Sequence, residues 1–234
     1  MRLLLCLLVL LPSLTTARPE SSRTVRILFL GAAANAPQKL HLFDGTGCQE
    51  VELPQMNLSP VYKLPDGPLV IRMLPAPPAN PEQIDPKAPK AVIRESVTDL
   101  YLLVSNDPSN SVAPVRMQVI DANAAKFRKG QMLWYNLTPN AVGGQLGNQS
   151  LKLAPNSKAV VDPPASGNDD YNVNLSFRIP DDKRLFPLCE TKWLHDSNSR
   201  TLFFIVTENG SRTPRILGFP DYREEEKATK TQNP

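Results

Sequence analysis

Proline recurs too often along this chain for long helices to form. There are 24 in 234 residues, about twice the ~5% usual in proteins. A helix interior tolerates almost none, because the ring removes a backbone N–H and clashes with the preceding turn. The segments between prolines read as strands. Residues 24–30 (TVRILFL), 69–74 (LVIRML), 100–104 (LYLLV), 117–120, 171–179 and 202–206 are rich in β-branched and large apolar residues. Each is bounded by Gly, Pro, Asn, Asp or Ser, the residues of turns. In 171–177 (YNVNLSF) the apolar residues share one parity, as a half-buried strand requires. Hydrophobic residues make up 41% and charged residues 21%, enough for a core and too apolar for a disordered chain.

The two halves read alike. ILFLG (27–31) matches MLWYN (132–136), and EVELP (50–54) matches SLKLAP (150–155). GPLVIRMLP (67–75) matches VNLSFRIP (173–180). LYLLVSND (100–107) matches LFFIVTEN (202–209), and APVRMQVID (113–121) matches TPRILGFPD (213–221). The order is conserved and the offset stays near 100 to 105 residues. The expected fold is all-β: two tandem immunoglobulin-like β-sandwiches related by an internal repeat, each with about seven strands. The expected boundaries are a signal peptide at 1–17, sandwiches at 24–122 and 128–222, and a polar tail at 223–234. Six prolines crowd residues 75–89. By composition this is a linker; by its place in the repeat it is a surface loop, matching an insertion at 181–200.

Arg2 followed by the apolar run 3–11 and the small residues before Arg18 has the form of an export signal cleaved after Ala17. The run is shorter than the ~20 residues of a membrane span. The expectation is an exported protein, periplasmic or secreted, with no membrane attachment once cleaved. The charge is near balance, 26 basic against 23 acidic residues, without the clustered basic face of a nucleic-acid binder. Cleavage removes Cys6 and leaves Cys48 and Cys189. An oxidising compartment permits a Cys48–Cys189 disulfide; two unpaired thiols are the alternative, and geometry decides between them.

The chain carries no nucleophile elbow, phosphate loop, dinucleotide fingerprint or metalloprotease helix, so no catalytic residue and no cofactor is assigned. His41 and Cys48, with Cys189 and His195, have the residue types of a zinc or copper site. Their spacing is wider than zinc pairs use, and a disulfide with two surface histidines accounts for them; no metal ligand is assigned. The acidic turn 166–170 (SGNDD) supplies too few oxygens for calcium. Five N-x-S/T sequons occur, at Asn57, Asn136, Asn148, Asn174 and Asn209. Trp134, inside a strand, reads as core. Trp193, His195 and Tyr222 are the candidate binding residues, since exposed aromatic faces carry much of the energy of recognition.

Across GTGCQEVELP, SPVYKLPDGPL, LWYNLTPNAVGGQLGNQSLKLAPNSKAVV and TPRILGFPDYRE the chain resembles a group of exported bacterial proteins of unknown function. That resemblance implies no activity and no site residues. In overall organisation it is also similar to periplasmic pilus chaperones, which have two immunoglobulin-like domains, but it lacks their long alternating strand flanked by basic residues. The expected function is that of a non-catalytic structural or recognition protein of the cell envelope, binding an unknown protein or a carbohydrate, and no nucleic acid, through sandwich-end loops at 75–94 and 181–200. A secreted hydrolase and a chaperone-like protein are the alternatives.

Overall fold

A computed structural model describes residues 23–208 and 210–222. The expected signal peptide, the tail 223–234 and the sequon residue Asn209 lie outside the described residues. The described chain is all-β. Its strands are β1 (Arg23–Phe29), β2 (Lys39–Phe43), β3 (Cys48–Glu52), β4 (Tyr62–Leu64), β5 (Leu69–Leu74), β6 (Lys90–Ile93), β7 (Asp99–Asn106) and β8 (Val115–Asp121). They continue as β9 (Met132–Asn136), β10 (Ala141–Leu146), β11 (Gln149–Leu153), β12 (Lys158–Val161), β13 (Asp170–Arg178), β14 (Phe186–Leu194), β15 (Arg200–Val206) and β16 (Arg215–Asp221). The proline-rich stretch is a loop between β5 and β6 holding one 3-10 turn, Pro81–Gln83.

Four sheets of four strands result. Sheet I has the order β4-β1-β7-β8 and sheet II β3-β2-β5-β6; sheet III has β12-β9-β15-β16 and sheet IV β11-β10-β13-β14. Raising every strand number in sheets I and II by eight yields sheets III and IV. Pairing is antiparallel except for β1 with β7 and β9 with β15. Each half therefore has eight strands rather than seven. Lettered A to H, they run D-A-G-H and C-B-E-F, which is not the A-B-E-D order of the immunoglobulin sheet.

The sheets stack in the order II, I, III, IV. Val25, Ile27 and Phe29 of β1 and Leu100, Leu102 and Val104 of β7 face sheet II. Their neighbours Leu28, Tyr101 and Leu103 face the other way, onto Leu133, Tyr135, Leu202 and Phe204 of sheet III. Met132, Trp134 and Ile205 then face sheet IV. The central strands β1, β7, β9 and β15 are thus largely buried on both faces, which is why LYLLV and LFFIV read as unbroken apolar runs. The outer sheets meet water on one face, and β13 alternates buried and exposed residues accordingly.

Polar groups trapped between sheets I and III are paired. The Asp221 carboxylate accepts from Arg26, Arg200 and Tyr101, and its side chain is fully buried. Arg200 also donates to Asp99 at 3.0 Å and to the carbonyls of Ala122 and Phe127 at 2.7 and 3.2 Å. Among the described side chains two arginines meet two aspartates, which offsets the cost of burying them in a low-dielectric site. Removing the Asp221 carboxylate takes away the carboxylate partner of Arg26 and leaves Arg200 with Asp99 alone. Asp221→Ala is expected to lose about 3–5 kcal/mol of stability, read from the denaturant midpoint; an unchanged midpoint would count against the network.

Candidate functional site

A cleft opens where the edges of sheets III and IV part. In the first half β6 packs against β8; the corresponding strands β14 and β16 approach each other less closely. The gap between them is a cavity of about 740 Å³. Trp193, His195 and Tyr222, the three residues singled out in the sequence, all line it. Trp193 is on the strand β14, His195 opens the loop between β14 and β15, and Tyr222 follows β16. Much of the expected insertion 181–200 is β14, a nine-residue edge strand hydrogen-bonded to β13.

The floor is aromatic. Trp193 stacks on Phe203 with ring centres 5.3 Å apart and planes 10° from parallel, and it meets Tyr171 edge-on at 6.3 Å. Phe203 in turn stacks on the buried Trp134 at 4.3 Å. Gly218 on β16 makes room for this ring, since a Cβ there would stand 2.8 Å from Phe203 Cε1. Trp193 is half-buried and Tyr222 exposed at the rim. The Tyr222 hydroxyl is hydrogen-bonded to Asp196, which raises its pKa.

His195 is a buried positioning residue rather than a free ligand. Its Nδ1 lies 2.7 Å from the Gly167 carbonyl and its Nε2 2.9 Å from the Gly130 carbonyl. The ring therefore ties the loop before β13 and the junction before β9 to the end of β14. Gly130 has φ +77, a left-handed conformation that suits glycine, and its α-carbon faces the imidazole and Pro163. Asn168 caps the same turn, accepting from Ser197 N at 2.9 Å and Ser197 Oγ at 2.8 Å. The sequence reading missed Asn168, Tyr171, Phe203 and Asn198. Of these, Phe203 carried a hint: within LFFIV it has the opposite parity to Leu202 and Phe204.

Cys48 and Cys189 are free thiols, so the expected disulfide is not formed in this arrangement. Cys48 is on β3 of sheet II and Cys189 on β14 of sheet IV. Those sheets are three layers apart, about 30 Å at ~10 Å per layer, against a Cα separation of about 4.4–6.8 Å for a bridge. The same separation keeps His41 and Cys48 away from His195. Among the described residues no three His, Cys, Asp or Glu side chains gather as metal ligands, and no helix is long and apolar enough to cross a membrane. The sequon residue Asn136 is fully buried. Its amide donates to the carbonyls of Asn140 and Ala154, and its oxygen accepts from Thr138.

Further hollows lie in the second half. One of about 780 Å³ runs along Gly143, Gly144 and Asn174 and has no aromatic wall. Another, about 670 Å³, sits at the far end beside the exposed Asp182–Arg184 ion pair. That pairing holds Asp182 down at about 2. No family model and no curated protein matches the chain.

Burial raises both thiols above the ordinary cysteine range. Alkylation of the denatured, unreduced protein is expected to label Cys48 and Cys189 alike by mass spectrometry; label that requires prior reduction would show a bridge. Burial also pushes Tyr171 up to about 12. Its folded-state pKa lies above the unfolded value near ~10, so its contribution to stability is whole below pH ~10 and declines as pH rises toward 12. Tyr171→Phe is expected to flatten that alkaline decline in unfolding midpoints.

Proposed function

We propose that the chain is an exported, non-catalytic recognition protein of the cell envelope, built from two related β-sandwiches, that binds its partner in the cleft between β14 and β16. The observation that carries this reading is the asymmetry between halves. The edge closed by β6 and β8 in the first half stands open in the second, and the open edge collects Trp193, Tyr222 and His195.

Duplication is supported by where the matched segments fall. They lie on β1 and β9, β3 and β11, β5 and β13, β7 and β15, and β8 and β16, eight strands apart each time, in sheets of the same order. Of two related units, one keeps a sealed edge and the other presents a site. Export is supported by the charged, apolar and small-residue pattern of residues 1–17. The resemblance to exported bacterial proteins agrees with it and adds no activity.

A hydrolase of the glycosidase type needs two carboxylates across the bond to be cut. Among the described residues of the cleft wall, Asp196 is the single carboxylate, which favours binding over turnover. A chaperone that accepts a partner strand needs an open strand edge. The β14 edge is guarded: Pro187 lacks an N–H and sits at a register shift, and Glu190 and Lys192 put charge along it.

Cell fractionation with amino-terminal sequencing is expected to find the protein outside the cytoplasm, starting at Arg18; cytoplasmic protein retaining Met1 would remove the export part. A photo-crosslinking side chain at Lys192 is expected to capture an envelope component that the same group at Val92, exposed on the outer face of sheet II, does not capture. Equal capture at both positions would count against the cleft.

A further inference from the structure

We propose that the ligand of the cleft is a neutral carbohydrate, held with a sugar face on the Trp193 ring and its hydroxyls on the polar rim. This inference rests on the recognition reading above and names its ligand class.

The cleft offers an aromatic surface and a polar one together. Its aromatic wall is Trp193, half-buried and backed by Phe203, on which it stacks with the planes 10° apart. A flat indole held in this way takes a flat apolar face. The aromatic quadrupole is negative over the ring, so it attracts the weakly positive C–H groups that a pyranose presents on one side. The rim is the opposite in character. It carries amide, hydroxyl, ammonium and carboxylate groups: Asn168, Lys192, Asp196, Asn198, Ser199 and Thr201. The Lys192 ammonium and the Asn198 amide make no side-chain hydrogen bond within the described chain and are exposed, so their donors are available. A ligand with one apolar face and an edge of hydroxyls satisfies both surfaces, and a purely apolar ligand would leave the rim unpaired.

Charge narrows the class further. Among the described residues the charged groups of the wall are one cation, Lys192, and one anion, Asp196. None of the described wall residues is an arginine, the residue that grips phosphate or carboxylate by two parallel hydrogen bonds. A nucleotide, a phosphosugar or a sulfated glycan therefore finds no matching field, and an uncharged saccharide does. Size agrees. About 740 Å³ falls within the ~300–1,000 Å³ of small-ligand sites, enough for a few sugar units. An extended peptide is less well served. It would have to add to β14, whose edge carries Pro187, Glu190 and Lys192.

The chain has two tryptophans, and Trp134 is fully buried, so a change in tryptophan emission on binding reports Trp193. The test titrates the full chain with soluble neutral oligosaccharides: cello-, chito-, xylo- and malto-series, with a sulfated glycan alongside. At least one neutral series is expected to shift the emission saturably, with an affinity that hardly changes with salt. By calorimetry, Trp193→Ala is expected to weaken that binding at least tenfold, Trp193→Phe to retain most of it, and Asn198→Ala to weaken it several-fold. Asn198 is exposed, so its variant should unfold as the wild type does and keeps the test sound if Trp193→Ala misfolds. Saturation by the sulfated glycan alone, or binding indifferent to Trp193→Ala and Asn198→Ala, would overturn the inference. A parallel titration with a library of peptides alternating apolar and polar residues separates the two levels. Peptide binding lost in Trp193→Ala, without any saccharide binding, removes the carbohydrate and leaves the cleft as a recognition site. Binding of neither class removes both.

Discussion

Two sheets whose central strands are covered on both faces set the terms for the rest of this molecule. Sheets I and III bury Leu28, Tyr101 and Leu103 against Leu133, Leu202 and Phe204, while their opposite faces complete the cores with sheets II and IV. Each large side chain taken out of water in this way contributes about 1.5–3 kcal/mol, so the interlayer is a core in its own right rather than a contact between independent domains. The two halves consequently share their central layers. The charges that the interlayer encloses must be neutralised there, and Arg26, Arg200, Asp99 and Asp221 do so. Pairing of this kind offsets the cost of desolvation more than it adds stability. The apolar residues drive the packing and the ion cluster sets the register in which they meet.

With the central layers committed, variation is left to the outer sheets and their edges. In the first half the edge formed by β6 and β8 is closed. In the second, β14 is nine residues long where β6 has four. It also runs through a register shift at Pro187, where the missing N–H costs no ladder bond. The longer, bulged strand diverges from β16 and carries Trp193 to the opening. His195, immediately after it, is held by carbonyls from two other segments, so the turn that shapes the rim is anchored rather than loose. A binding surface supported by strands and a tied turn loses less freedom on binding than one built on free loops.

Much of the architecture was legible in the sequence, and for identifiable reasons. Proline density excluded helices. Parity in YNVNLSF marked β13 as half-buried, which it is. The residues matched between halves land on strands of the same rank. The strand count, the sheet order and the interlayer were not legible. Short strands such as β4 and β12, of three and four residues, carry too few side chains to show a period. The unbroken runs LYLLV and LFFIV did announce burial on both faces, but one sequence does not say which sheet covers the second face. Trp193 and His195 read as part of a loop at 181–200 and Tyr222 as a separate aromatic; the three meet in space, but Trp193 does so from the edge strand β14, beside Phe203 and Tyr171 from other strands.

The sequence by itself determined the all-β class and the strand periodicity, because these depend on backbone preferences and on apolar spacing within a few residues. Tertiary structure alone decided the rest. It stacked the four sheets, which put Cys48 and Cys189 on opposite outer layers. It turned His195 inward between two carbonyls, and it opened the cleft between β14 and β16. Each of these outcomes depends on distances between residues far apart in the chain, and those distances are set by how sheets pack, which no local pattern encodes.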